Sequence, residues 1–154
     1  MKIDLGGGRA PKKGFTNVDK WEDHFDVYCD FNNDLLPFED ESIEEINSHH
    51  MLEHLEINSV PKIIDECYRV LKPGGKFHVV IPDMETACKD YLGGRKDQAR
   101  MMIFGGNTDN PFDIHRCGFD TEELTGFLKS SGFKILSTEY PDWYGINIDI
   151  WCKK

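Results

Sequence analysis

Apolar and polar positions along the chain fall into short runs and one long helical stripe. The short runs predict strands over residues 2–5, 16–19, 26–30, 44–48 and 76–82. Val60, Ile63, Ile64, Cys67, Val70 and Leu71 recur at helical spacing, with Asp65, Glu66 and Arg69 opposite them. That stripe predicts a helix capped at Asn58-Ser59, with Pro61 tolerated in its first turn. Pro73-Gly74-Gly75 stops the helix and returns the chain to the apolar strand Phe77-His78-Val79-Val80-Ile81. A second helix starts at Asp120, whose relation to Glu123 is that of a capping box. It buries Leu124, Phe127 and Leu128, and Gly132 ends it.

Two strands close the chain, over 133–140 and 146–152, joined by the turn-rich Pro141-Asp142-Trp143-Tyr144-Gly145. In the last strand Ile146, Ile148, Ile150 and Cys152 alternate with Asn147, Asp149 and Trp151, so its two faces differ. So short a connection makes no crossover, and the final strand is expected to add antiparallel to a parallel sheet. The fold class is therefore α/β: a Rossmann-like, doubly wound, mostly parallel sheet with an antiparallel C-terminal strand. Residues 93–118 are the least regular part, rich in Gly, Asn and Asp, and are expected to form a lid or substrate segment. Met101, Met102, Phe104 and Phe112 there are expected to pack rather than cage a substrate.

The chain of 154 residues is read as a single domain, with 1–83 as its ligand-binding half. Its net charge of −10 disfavours nucleic acid, although Arg9, Lys12 and Lys13 form a local basic group. No apolar run approaches the ~20 residues that span a bilayer, and Met1-Lys2 enters a strand without a signal-peptide pattern, so a cytoplasmic protein is expected. The five cysteines are widely spaced without C-x-x-C, which fits reduced, buried thiols better than disulfides or zinc.

The candidate chemistry lies in Ile3-Asp4-Leu5-Gly6-Gly7-Gly8, with Val18-Asp19 shortly after. Glycines ending a first strand let backbone approach a ligand that a Cβ would exclude, and an acid ending the next strand suits a ribose diol. Together they point to a nucleoside-containing cofactor at the switch point of the sheet. The bland alternatives are a tight glycine turn and solvated strand-end acids.

These residues resemble a small class I S-adenosylmethionine-dependent methyltransferase of the type 11 group. The resemblance rests on Asp4 to Gly8, on Gly14-Phe15-Thr16-Asn17-Val18-Asp19, and on Asp30 ahead of Leu36-Pro37-Phe38. Ser48 to Leu55 and Glu66-Cys67-Tyr68-Arg69-Val70-Leu71-Lys72-Pro73-Gly74-Gly75 complete it. It implies S-adenosyl-L-methionine as cofactor, bound by Asp4, Gly6, Gly7, Gly8, Asp19, Asp30, Phe31, Ser48 and His49. Asp4 would favour its ammonium, Asp19 its ribose hydroxyls and Asp30 its adenine amino group. Phe31 would give an apolar edge, and Ser48 and His49 would flank the sulfonium. His115 and His49 are the candidate general bases, because an imidazole titrates near neutrality.

Two departures stand out. Arg9-Ala10-Pro11 replaces the third glycine of the loop. Strands 1 and 2 are so close in sequence that the first helix must be a single turn or absent. One sheet face is then expected to be thinly covered, without the N-terminal extension that caps the pocket in larger relatives. A partner subunit, a second copy of the chain or the 93–118 segment is expected to supply the cover.

His50-Met51-Leu52-Glu53-His54 matches the inverted zinc-protease signature H-x-x-E-H. It also falls on the Glu-His-Leu element of the methyltransferase pattern, so no metal is expected. Glu53 and His54 are expected to bond backbone, with Glu53 open as an acid near the cofactor. The function expected is methyl transfer to a small-molecule or saccharide-like acceptor. The alternative is a non-catalytic cofactor- or protein-binding module. A nicotinamide oxidoreductase is disfavoured, since Gly6 and Asp19 are closer than the ~20 residues usual for that fingerprint.

Overall fold

The computed structural model describes residues 1–21, 24–106, 113–141 and 146–154. Its strands are β1 (Lys2–Leu5), β2 (Thr16–Asp19), β3 (Val27–Tyr28), β4 (Ile43–His49), β5 (Leu71–Pro82), β6 (Lys134–Glu139) and β7 (Asn147–Lys153). The helices are α1 (Val60–Val70), α2 (Met84–Leu92), α3 (Lys96–Phe104) and α4 (Thr121–Ser130), with a 3-10 turn at Leu52–His54. The strands form one sheet in the order β3-β2-β1-β4-β5-β7-β6. β1 to β5 pair in parallel, and β7 runs antiparallel to both β5 and β6, as the short last connection requires.

Strand alternation gives the sheet two unlike faces. Register aligns Ile3, Ile46, Phe77 and Cys152 in one row, all fully buried. They join Ile63, Ile64 and Cys67 of α1 and Leu124 and Leu128 of α4 in one core. Each such aliphatic side chain contributes roughly 1.5–3 kcal/mol by leaving water. The neighbouring row holds Asn17, Asp4, Asn47, His78 and Trp151 and is polar. Asn47 Nδ2 donates to Asp4 Oδ1 at 2.6 Å, while His78 bridges Asn47 Oδ1 at 3.0 Å and Asp149 Oδ1 at 2.9 Å.

Residues 6–15, between β1 and β2, make turns and no helix, as their brevity predicts. They lie on the polar face. Lys12 Nζ donates to Asn47 Oδ1 at 3.0 Å and sits over the rings of Phe15 and Trp151.

The ends of α1 and α4 form differently from each other. Asp120 caps α4 through the predicted box, with Glu123 N–H to Asp120 Oδ1 at 2.9 Å and Asp120 N–H to Glu123 Oε2 at 3.3 Å. Ser59 makes no side-chain cap; its carbonyl accepts Ile63 N–H instead. The expected irregularity of 93–118 is corrected by α3, which occupies 96–104. α3 buries only Ala99, and α2 only Ala87 and Asp90, so neither carries the apolar stripe that reveals a helix in sequence. Phe112 and the turn over 142–145 lie outside the described residues.

Candidate functional site

The β1 loop is shaped by its glycines. Gly6 has φ +70°, its N–H donates to Val18 O at 2.9 Å, and a Cβ there would run into Met51. A Cβ on Gly7 would lie 2.7 Å from both Asn17 Oδ1 and Asp4 Oδ2. Gly8 differs: its φ is +51°, yet the Cβ it lacks would meet no protein atom within 4 Å among the described residues. Space beside Gly8 is open, as it is beside Gly14 and Gly74; what sets Gly8 apart is that it lies on a cleft wall next to Asp19.

Asp19, at the end of β2, is 8% exposed and organised by backbone. Its Oδ2 accepts Gly8 N–H at 3.0 Å, and its Oδ1 accepts Lys20 N–H at 2.7 Å and Trp21 N–H at 3.1 Å. A carboxylate has about four lone-pair sites, so Oδ2, with a single donor, retains capacity for a hydroxyl.

Gly6, Gly8, Asp19, Trp21, Phe31 and Met51 line a cleft of about 330 Å³ at the carboxyl ends of the strands. That is where an open α/β sheet binds ligands, and the size matches a small organic molecule. His50, His54, Asp113, Ile114 and Arg116 complete its wall. A second cleft of about 390 Å³ is lined by Asp4, Gly6, Gly7, Asn47, His49, His78 and Asp149, among others. Gly6 belongs to both clefts.

The sequence-expected residues thus divide. Gly6, Gly8, Asp19 and Phe31 meet in the first cleft; Asp4, Gly7 and His49 meet with Gly6 in the second. Asp4 is buried, and its Oδ2 accepts Lys12 N–H at 2.6 Å. Asp30 lines neither cleft. Its oxygens take Lys20 Nζ at 3.0 Å, Asn32 N–H at 3.2 Å and Asn33 Nδ2 at 3.1 Å. Burial pushes its carboxyl up, but these donors outweigh that and hold it below the usual range. Ser48 also lines neither cleft and is fully buried, because it faces the opposite side of β4 from His49.

Partial desolvation, with His50 and His78 nearby, holds the His49 imidazole below its ordinary value. Its ring lies 4.7 Å from that of His50. His115 stacks edge-on against His54 at 4.9 Å, and its Nδ1 donates to Met102 O at 2.7 Å. Neither cleft is lined by His115 itself.

Sequence reasoning missed Trp21, Met51, His54, Asn47 and His78 as cleft residues. Trp21 carried a signal, a large aromatic two positions beyond Asp19. His78 carried one in the alternation of β5, which sets it opposite the buried Phe77 and Val79.

Residues 13–79 match the methyltransferase domain family. A Mycolicibacterium smegmatis protein, described as a probable S-adenosylmethionine-dependent methyltransferase, is 31% identical over 103 residues. These are 67% of this chain and 33% of that protein, so the chain spans about a third of its curated relative. The S-adenosylmethionine-dependent methyltransferase of Mesorhizobium loti superposes with a TM-score of 0.68 at 14% identity, covering 99% of this chain and 90% of that one. The Burkholderia thailandensis 1,6-didemethyltoxoflavin-N1-methyltransferase, with 1,6-didemethyltoxoflavin and S-adenosylhomocysteine bound, superposes with a TM-score of 0.66 at 14% identity, covering 99% and 70%. At these identities the structural likeness carries the fold.

Proposed function

We propose that the chain is a class I S-adenosylmethionine-dependent methyltransferase, a reading supported by the family match over residues 13–79 and by the Mycolicibacterium smegmatis relative, and that it binds S-adenosylmethionine in the first cleft and methylates a small, hydroxyl-rich acceptor held in the second. The observation carrying this reading is the Gly8–Asp19 pair. A backbone with open space beside it and a carboxylate with remaining acceptor capacity stand together at the strand ends. Both features fit a nucleoside.

S-adenosylmethionine supplies a methyl group already activated on a sulfonium. The chain's own residues bind, orient and exclude water. Asp19 holds the ribose hydroxyls, and Phe31 and Trp21 give apolar walls. Asp4 lines the second cleft beside the shared Gly6, with its oxygens on Asn47 Nδ2 and Lys12 N–H, so it favours the ammonium only at a distance, as a fixed negative charge under the β1 loop. His49, exposed at the end of β4 and held below its ordinary pKa by partial desolvation and by His50 and His78, takes a proton from an acceptor hydroxyl. It is favoured over His115 because it lines the second cleft, which shares Gly6 with the first.

The acceptor class follows from the lining of the second cleft. Asn47, His78, Asn147 and Asp149 are all polar, and Asn147 Oδ1 is buried without a partner among the described residues. A saccharide-like molecule offers the hydroxyls that such groups pair with. Among similar structures, the Burkholderia thailandensis enzyme has 1,6-didemethyltoxoflavin bound. The net charge of −10 disfavours a long polyanion.

A second reading is a binding module without turnover. It is favoured by the helix-free first crossover, which leaves one sheet face polar and thinly covered. In either reading a second copy or a partner subunit covers that face.

The test is S-adenosylhomocysteine release with a panel of polyols, glycosides and small phenols. Acceptor-dependent release supports methyl transfer. Cofactor binding without release across the panel supports the second reading.

A further inference from the structure

We propose that Glu53, His54 and His115 form a binding site for one divalent transition-metal ion. One ligand atom from each lies within 4.8 Å of the others. Glu53 is 1% exposed; its Oε1 accepts from His50 Nδ1 at 2.9 Å, whereas Oε2 is buried and has no hydrogen-bond partner among the described residues. An unsatisfied buried carboxylate oxygen costs several kcal/mol unless a cation or donor meets it, on the order of 1–3 or more.

Both histidines are set as metal-ligating imidazoles are. His54 Nδ1 meets Ile114 O at 3.1 Å, and His115 Nδ1 meets Met102 O at 2.7 Å. A carbonyl only accepts, so each Nδ1 carries the proton and each Nε2 presents a lone pair. Backbone bonds fix the two halves of the site together: Glu53 O accepts Arg116 N–H at 2.8 Å and Cys117 N–H at 3.2 Å. Tetrahedral ligands at about 2.0–2.1 Å from an ion sit about 3.4 Å apart, so side-chain shifts on the order of 1 Å close the site.

Two imidazoles and a carboxylate suit Zn²⁺ and its neighbours, whereas Mg²⁺ and Ca²⁺ take oxygen sets. Three protein ligands leave a coordination position for water. His54 lines the first cleft, so the ion would stand at its wall. H-x-x-E-H supplies two of the ligands, Glu53 and His54, and places His50 on the other carboxylate oxygen. The third ligand, His115, comes from distant sequence. This differs from the protease use of that motif, which takes both of its histidines, and from the expectation of no metal.

Metal binding is measured without cofactor, so its outcome is separate from that of the methyl-transfer reading. The full chain, freed of metal, is titrated with Co²⁺ and then Zn²⁺. The expected result is one ion per chain at micromolar affinity, with visible Co²⁺ bands, no thiolate charge-transfer band, and displacement by Zn²⁺. Glu53→Gln and His115→Ala each lose at least tenfold in affinity, while His24→Ala binds as wild type. Absence of binding, a thiolate signature, or binding unchanged in both site variants overturns the proposal.

Discussion

The Gly8 N–H donates to Asp19 Oδ2 at 3.0 Å and ties the β1 loop to the end of β2. The same carboxylate holds the N–H groups of Lys20 and Trp21, so one side chain orders both loops that face the first cleft. With Asp19 as the proposed ribose ligand, ligand affinity and loop order are coupled at this residue.

Gly8→Ala is expected to fold, because no described protein atom stands where its Cβ would go. The left-handed backbone costs about 1–2 kcal/mol for a residue with a Cβ. S-adenosylmethionine affinity should fall at least about tenfold, equivalent to about 1.4 kcal/mol. Calorimetry alongside a thermal melt checks both, and an unchanged Kd in a folded variant would show that no ligand approaches Gly8.

The Glu66–Arg69 pair is structural. Arg69 donates to both Glu66 oxygens and to the carbonyls of Leu36 and Phe38, and Glu66 accepts Leu36 N–H at 2.9 Å. Arg69→Met should cost about 2 kcal/mol, discounted from buried-pair values because Arg69 is partly exposed. The Arg69 hydrogen bonds hold the Glu66 carboxyl below its usual range, against the upward push of burial. The resulting stability is complete above the unfolded value of about 4.3 and is lost as pH falls through the lower folded value. Denaturant melts against pH should show a shallower acid limb in Arg69→Met; an identical limb would contradict this assignment.

Most of this architecture is legible from residue types. The Asp120–Glu123 box and the α1 stripe act locally, so their sequence signals survive folding. The Gly6-to-Thr16 spacing likewise limits the first helix to a single turn at most, and the structure has none there. α2 and α3 were hidden because each buries little, and their place is set by tertiary contacts. The cleft was half legible. Asp19 and Gly8 meet as their positions suggest, but Ser48 and His49 are neighbours on one strand and cannot share a face. The row from Asp4 through Asn47 to His78 depends on register between distant strands. The junction of Glu53 with Arg116 and Cys117 likewise joins residues far apart in the chain.

His49 sets the acid limb of turnover in this account. Partial desolvation, with His50 and His78 nearby, lowers its pKa, so the neutral base persists below the ordinary imidazole value of about 6.5. With a hydroxyl acceptor, kcat should stay level through that pH and decline only below it. His49→Gln should lower kcat roughly 10²–10⁴-fold and abolish the limb. A limb retained in the variant would assign the proton transfer elsewhere.

The described parts of this segment, 93–106 and 113–118, are proposed to close over the ligand, since Asp113, Ile114 and Arg116 already line the first cleft; 107–112 lie outside the described residues. Amide exchange in that segment should slow when cofactor or acceptor binds. Unchanged exchange in both complexes would remove the lid.

Calorimetric titration with S-adenosylmethionine, S-adenosylhomocysteine and NADH, on the wild type and Asp19→Ala, addresses the central claim directly. Saturable binding of the two sulfur ligands but not NADH is predicted, with a loss of roughly 10–100-fold in Asp19→Ala from hydrogen bonds to a charged group. Binding of neither sulfur ligand, or binding indifferent to Asp19, would contradict the assigned cofactor site.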